Sequence, residues 1–216
     1  MSGAAARIGL LLVDDHAVVR AGYRLLLRNT TDIEIVAEAE TGEQACRMYI
    51  EHRPDVVVMD LSLPGIGGLE AIRRIMARDR NARILVFSMH ENTMFVEQAL
   101  SAGARGYITK SSAPKVLVDA VRQVAAGRSH LDGSLAQQLV FQKVRERDSA
   151  LMGLSTREFE IFCLLAEGLG AGDIGKRLSL SHKTIANYTT QIKNKLGCNS
   201  MADLVRMAIR HGIVNA

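Results

Sequence analysis

Cysteine is scarce in this chain of 216 residues, and Cys46, Cys163 and Cys198 stand apart with no metal-type spacing. That speaks against a zinc-binding or disulfide framework and predicts free thiols in a reducing compartment, the cytoplasm. Long apolar runs are missing as well, since none reaches the ~18 residues needed to cross a bilayer. Residues 1–7 carry no basic segment ahead of an apolar stretch, so no secretory signal is expected. Aromatic residues make up only 4%, yet the hydrophobic fraction of 48% is enough for packed cores. Neither sign of charge dominates the first 125 residues, which hold 15 Lys+Arg and 15 Asp+Glu. Residues 150–216 hold 8 and 5, so most of the net +4 lies in a short C-terminal part. A local basic excess of this kind points to a polyanion partner there.

What the sequence does have is alternation. Short apolar runs rich in β-branched residues lie near 7–13, 33–39, 55–59, 83–87 and 105–108. Helical patterns lie near 16–28, 42–52, 67–78, 92–102 and 113–126. Five β–α units imply right-handed crossovers and a five-stranded, doubly wound parallel sheet with helices on both faces. Residues 127–152 break the pattern and read as a linker, in which Leu135, Leu139 and Val144 recur at near-helical spacing. Beyond Leu154 no strand pattern remains, and helices are expected near 156–167, 171–178, 182–196 and 201–211. Ser155 with Glu158 forms a capping box, and Gly168 and Gly197 fit helix C-caps. The domains are therefore expected at 1–126 and 153–216, joined by 127–152.

Four strand ends matter together. Ile8–Val13 runs into Asp14 and Asp15, Val56–Met59 into Asp60, Ile84–Phe87 into Ser88, and Gly106–Thr109 into Lys110. Parallel strands bring their carboxyl ends to one edge, where α/β proteins build their sites. Carboxylates ~4 Å apart repel by roughly 4 kcal/mol at an effective dielectric of ~20, so such a cluster calls for a cation. Mg²⁺ binds through one or two carboxylates plus waters and phosphate oxygens. Asp15 and Asp60 suit direct ligation, and Asp14 suits a ligated water. Lys110 and Ser88 would meet phosphoryl oxygens, and Asp60, at the end of the central strand, is the candidate nucleophile for an acyl phosphate. Taken singly, each has a plainer reading: Asp14-Asp15 as the cap of a helix from His16, Asp60 as a turn residue, Lys110 as a solvated lysine. His90 reads either as a border of the pocket or as an exposed loop histidine.

Residues 7–125 resemble the receiver domain of bacterial two-component response regulators. The matching text is Leu12-Val13-Asp14-Asp15-His16, Met59 to Gly68, and Ala102 to Lys110. The resemblance implies that Asp60 accepts a phosphoryl group from a sensor histidine kinase. It also implies Mg²⁺ held by Asp15, Asp60 and the Ser62 carbonyl with Asp14 close by, and Ser88 and Tyr107 as switch residues. Ser111 stands where the family often has proline.

In the C-terminal part, a short helix, a tight turn at Leu180-Ser181 and a longer helix from His182 to Leu196 form a helix-turn-helix pattern. Its second helix would enter the major groove, with Ile185, Ile192 and Leu196 facing inward. Lys183, Lys193 and Lys195 would meet phosphates, and Asn187 and Thr190 would reach base edges. Residues 154–214 also resemble the LuxR-type DNA-binding domain. The shared text includes Leu154 to Glu158, Leu178 to Ser181, Thr184-Ile185, Ile192 and Lys195-Leu196. The resemblance puts Thr184 and Ala186 in the contact set too. Ala186 replaces a usual lysine, Tyr188 a usual histidine, and Asn199-Ser200 stands where arginine is common. Glycine is also dense from Gly170 to Gly175, which weakens a helix by ~1 kcal/mol per residue against alanine.

Together the resemblances imply a NarL/FixJ-like response regulator, a transcription factor rather than an enzyme. Phosphorylation of Asp60 would promote a homodimer on double-stranded DNA, with RNA polymerase a further partner and the membrane not involved. A phosphohydrolase with an aspartyl phosphate would need a second acid soon after the nucleophile, and none occurs before Glu70. A DNA-binding protein whose receiver works without phosphorylation would not need the full set of Asp14, Asp15, Asp60, Ser88 and Lys110.

Overall fold

The central strands of the N-terminal sheet are apolar because both faces are covered there, whereas the strand over residues 33–39 carries Glu34 and Glu38 and is only partly buried. A computed structural model of the chain describes residues 7–133, 135–139 and 150–214. Strands β1 (Ile8–Val13), β2 (Ile33–Ala39), β3 (Val56–Met59), β4 (Ile84–Ser88), β5 (Gly106–Thr109) and β6 (His130–Leu131) form one sheet in the order β2-β1-β3-β4-β5-β6. All neighbouring pairs are parallel. Helices α1 (Ala17–Arg28), α2 (Gly42–His52), α3 (Gly68–Arg78), α4 (Thr93–Ala102) and α5 (Pro114–Ala125) connect them. Leu10, Leu12, Val56, Val58, Leu85, Phe87 and Ile108 share one core cluster with Leu117, Val121 and Val124 of α5. The alternate residues Leu11, Val13, Val57, Met59 and Val86 are just as buried, so β1, β3 and β4 each read as a continuous apolar run.

The sheet has six strands rather than the expected five. Residues 130 and 131, expected in the linker, pair with Gly106 and Tyr107 along the outer edge of β5. A two-residue strand is too short for any periodicity, so nothing local announces it. Gly106 allows the pairing, because a Cβ there would stand 2.7 Å from the His130 carbonyl oxygen.

The strand order places the topological switch between β1 and β3. The chain runs outward from β1 to β2, then back to β3. At such a point the loops after two adjacent strands diverge and leave a crevice at their carboxyl ends.

The helical unit comprises a 3-10 turn, Ala150–Gly153, and helices α6 (Thr156–Ala166), α7 (Ala171–Leu178), α8 (His182–Leu196) and α9 (Met201–Arg210). The Ser155–Glu158 capping box is present, and a second one, Ser200–Asp203, starts α9. Gly168 and Gly197 take positive φ of 87° and 65° where α6 and α8 end. Despite its glycines α7 is a continuous helix. Gly175 has a reason to be there: a Cβ would lie 2.7 Å from the Leu180 carbonyl oxygen, so glycine lets the turn fold back closely. Residues 135–139 are helical, with Leu135 and Leu139 buried. Val144 lies outside the described residues.

Candidate functional site

Register builds the first site. Val13 pairs with Met59, and the Asp60 amide donates to the Val13 carbonyl at 3.0 Å, so Asp14 and Asp60 lie abreast. Ser88 pairs with Thr109, and the Lys110 amide donates to the Ser88 carbonyl at 2.8 Å. Lys110 therefore leaves the sheet level with the two aspartates. Its ammonium donates to Asp14 Oδ2 at 2.6 Å and to Asp60 Oδ2 at 2.7 Å. Both carboxylates are 2% exposed, and ion pairing together with hydrogen bonds makes such burial tolerable. Glycine shapes the floor: a Cβ at Gly68 would lie 2.6 Å from Leu61 Cα, so α3 can begin hard against the end of β3.

The remaining oxygens are committed too. Asp60 Oδ1 accepts from the Ser62 amide at 3.3 Å, and Asp14 Oδ1 from the His16 amide at 2.8 Å. Neither aspartate of the pair caps α1, whose N-cap is His16 without a side-chain bond. Asp15 is exposed, and His16 Nδ1 lies 2.7 Å from its Oδ1. Ser88 is fully buried at the end of β4. Tyr107 is also fully buried, and its hydroxyl donates to the His90 carbonyl at 2.7 Å. His90 borders the site after all, with Nε2 3.2 Å from Ser62 Oγ.

The electrostatics follow from this packing. Burial pushes the Asp60 carboxyl above its usual value; Lys110 pulls it down, and the Asp14 charge raises it again. Burial acts on Lys110 in the opposite sense, but Asp60 and Asp14 outweigh it and hold the ammonium above its ordinary 10.5. Burial likewise raises the Tyr107 phenol, against the opposing effect of the Ser88 hydroxyl. A buried carboxylate is thus held beside one cation and two further carboxylates. Oxygen and nitrogen donors of Asp14, Asp15, His16 and Asp60 all lie within 4.8 Å of one another, a spacing one metal ion can bridge.

One contributor carries no sequence signal. Arg20 of α1 is buried, donates to the Asp14 carbonyl at 2.6 Å, and pairs with Glu38 at 3.3 Å and with Glu40. It ties the loop after β1 to the end of β2. Glu70, the first acid after Asp60, is held down to about 2 by hydrogen bonds from Arg73 and, against some burial, Arg74. The two arginines therefore favour its ionised form.

The second site is the outward face of α8. Helical residues advance by about 100° each, so Lys183, Asn187, Thr190 and Asn194 fall within an arc of about 60°. All four are exposed, while Ile185, Ile192 and Leu196 are buried on the far side. Asn194 belongs to this face by the same spacing, although only Asn187 and Thr190 stood out as base-reading residues. Ala186 is exposed beside it, and Lys193 is partly exposed at its edge. Thr184 serves the helix start, its amide donating to Ser181 Oγ at 3.1 Å. Lys195 points away from the face: its ammonium donates to the buried Glu158 at 2.6 Å.

The sequence matches the response regulator receiver domain over residues 10–122 and the bacterial regulatory proteins of the luxR family over residues 152–208. It is 37% identical over 211 residues to the response regulator UvrY of Escherichia coli K12, covering 97% of each chain. It is 41% identical over 210 residues to the transcriptional activator protein ExaE of Pseudomonas putida, covering 96% of this chain and 98% of that one. Among solved structures it is similar to RcsB from Salmonella enterica serovar Typhimurium, bound to a promoter in the presence of the phosphomimetic BeF3−. The identity is 25% and the TM-score 0.68, over 93% of this chain and 98% of that chain. With both matches in one chain, and likeness running almost end to end along full-length relatives, this protein belongs to the two-component response regulators that join a receiver domain to a LuxR-type helix-turn-helix domain.

Proposed function

We propose that Asp60 accepts a phosphoryl group from the phosphohistidine of a sensor kinase, and that this controls DNA binding by α8. The observation that carries the reading is Asp60 itself, buried at the sheet's switch point and bonded to Lys110 beside Asp14. An Asp60 carboxylate oxygen attacks phosphorus, the P–O bond forms, the N–P bond of the donor breaks, and its imidazole leaves as a neutral ring after protonation. The donor set suits a hard divalent cation, since carboxylate oxygens converge on one point. Asp15, Asp60 and the Ser62 carbonyl would hold Mg²⁺ with Asp14 close by, and the ion would offset phosphoryl charge.

The switch follows from charge. A phosphoryl group adds roughly −1.5 to −2 at neutral pH. Lys110, now shared by two carboxylates, is drawn to the phosphoryl oxygens. The Ser88 hydroxyl turns to bond another, and Tyr107 repacks behind it. A homodimer then sets two α8 helices on two half-sites. The receiver is assigned to residues 1–126, the linker to 127–152 and the DNA-binding domain to 153–216. Lys183, Thr184, Ala186, Asn187, Thr190 and Lys193 form the DNA face. Lys195 belongs to this set only if it leaves Glu158. RNA polymerase is the further partner, and the cytoplasm is the site of action. No helix among the described residues is long and apolar enough to cross a membrane.

Incubation with acetyl phosphate and Mg²⁺ tests the reading. Intact mass should show one added phosphoryl group on the parent and none on Asp60→Asn. A gel-shift titration should show that phosphorylation favours a probe with two half-sites over a single half-site. Equal labelling of both proteins would overturn the assignment of Asp60.

A further inference from the structure

Three hydroxyls crowd the loop that follows β5. Thr109 Oγ1 lies 2.8 Å from Ser111 Oγ and 3.0 Å from Ser112 Oγ. Ser111 donates outward to Glu91 Oε1 at 2.7 Å, and Ser112 donates to Asp132 Oδ2 at 3.1 Å. A hydroxyl has one proton to give. Those of Ser111 and Ser112 are committed to carboxylates, so the single Thr109 proton serves one serine at a time. Thr109 is buried, which limits water from completing the other bond.

Lys110 sits between these hydroxyls on the same backbone. Asp132, at the other end of the Ser112 bond, closes the α/β unit, and the chain from Gly133 onward belongs to the helical unit. The Asp132 amide bonds the Tyr107 carbonyl at a long 3.4 Å, and β6 just before it is two residues long. One of the bonds at this strand end thus comes from the loop of the lysine.

We propose that Thr109, Ser111 and Ser112 form a one-proton toggle that couples the position of Lys110 to the anchoring of Asp132. With Lys110 between Asp14 and Asp60, the Ser112–Asp132 bond holds the end of β6. When Lys110 moves toward a phosphoryl group on Asp60, Thr109 moves with it. The Thr109 proton passes its bond to Ser111, Ser112 loses its alignment, and the exit of the chain from the α/β unit loosens. Ser112 and Asp132 are positioning residues, and the inference rests on Lys110 being the residue that answers phosphorylation.

The test is amide exchange of His130 and Asp132 in the full chain, with and without beryllofluoride and Mg²⁺. In the parent, beryllofluoride should speed exchange on the order of tenfold, the scale of one lost hydrogen bond to a charged group. Ser112→Ala and Asp132→Asn should exchange fast from the start and respond little, while Ser112→Thr should restore the parent response. Ser112→Ala should still take up a phosphoryl group from acetyl phosphate. An unresponsive parent that labels normally would overturn the toggle, as would a parent-like response in Ser112→Ala. Absence of labelling on Asp60 in the parent would instead overturn the functional reading beneath it, and its cause would be visible by mass alone.

Discussion

Lys110 lies 2.7 Å from Asp60 across a gap of 50 residues in sequence, while its other bond reaches Asp14, 96 residues away. One ammonium therefore serves two buried carboxylates, and the cluster is short of positive charge. A bound cation would offset this imbalance, which sets the first two predictions.

Asp60→Asn is expected to raise the melting temperature at neutral pH in the absence of divalent ions. Burial raises the folded-state pKa of Asp60, so its ionised form opposes folding. That cost applies once the pH exceeds the folded value and fades as the pH falls below it. The gain from Asn should therefore shrink on acidification. Mg²⁺ should stabilise the parent and stabilise the mutant less. Scanning fluorimetry across pH checks both signs.

Lys110→Ala is expected to cost about 3–5 kcal/mol, the usual scale for stranding a buried charge. The loss should be smaller in acid, where a carboxylate takes up a proton, and Mg²⁺ should restore part of it. The lysine's own raised pKa means its contribution is present at all pH below its ordinary 10.5 and lost only above that. Urea denaturation at two pH values, with and without Mg²⁺, measures the effect.

Lys195→Ala should act on folding more than on DNA. Its partner Glu158 is pushed up by burial but pulled further down by Lys195 and by Ser155. The pair's stabilisation is therefore present above the ordinary 4.5 of Glu158 and lost as pH falls through its lower folded value. Glu158→Ala should cost about 1–3 kcal/mol, because it removes the buried partner of Lys195 and opens the capping box. In gel shifts, Lys195→Ala should weaken binding less than Lys183→Ala does.

Two glycines of α7 should respond with opposite signs. A Cβ at Gly172 meets nothing within 4 Å, so Gly172→Ala should stabilise by about 0.5–1 kcal/mol through helix propensity. A Cβ at Gly175 would meet the Leu180 carbonyl oxygen at 2.7 Å. Gly175→Ala should therefore destabilise, as the turn shifts away and strains the Leu180–Gly175 backbone bond. Chemical denaturation of the two variants makes the comparison.

On DNA, Lys183→Ala should weaken all duplexes alike and reduce the salt dependence of binding by roughly one ion. Asn187→Ala should cost roughly 1–3 kcal/mol on the cognate site if its contact is bidentate, and little on random sequence. Asn194→Ala tests the extension of the face. Equal losses on cognate and random DNA would reduce these asparagines to a structural role.

Much of this was legible because it is local. Apolar β-branched runs ending in Asp14, Asp60, Ser88 and Lys110 mark both the strands and the site edge. Ser155 with Glu158, and Ser181 ahead of α8, mark helix starts by chemistry within three residues. Arg20 was not legible, because its partners Asp14, Glu38 and Glu40 come together only once β1 and β2 pair. The neighbourhood of Lys195 in sequence suggests a phosphate contact, because nothing local reveals that Glu158 lies beside it across the helical unit.

By itself, then, the sequence determined the order and type of the elements, the α/β and helical division, and the acids and lysine at the strand ends, because periodicity, capping and strand composition act over a few residues. Tertiary structure alone decided the sixth strand on β5, the burial of Arg20, the close turn at Gly175, the commitment of Lys195 to Glu158 and the sharing of Lys110 between two aspartates. These depend on which distant segments lie side by side, and on how far burial turns an ordinary surface charge into one that must find a partner.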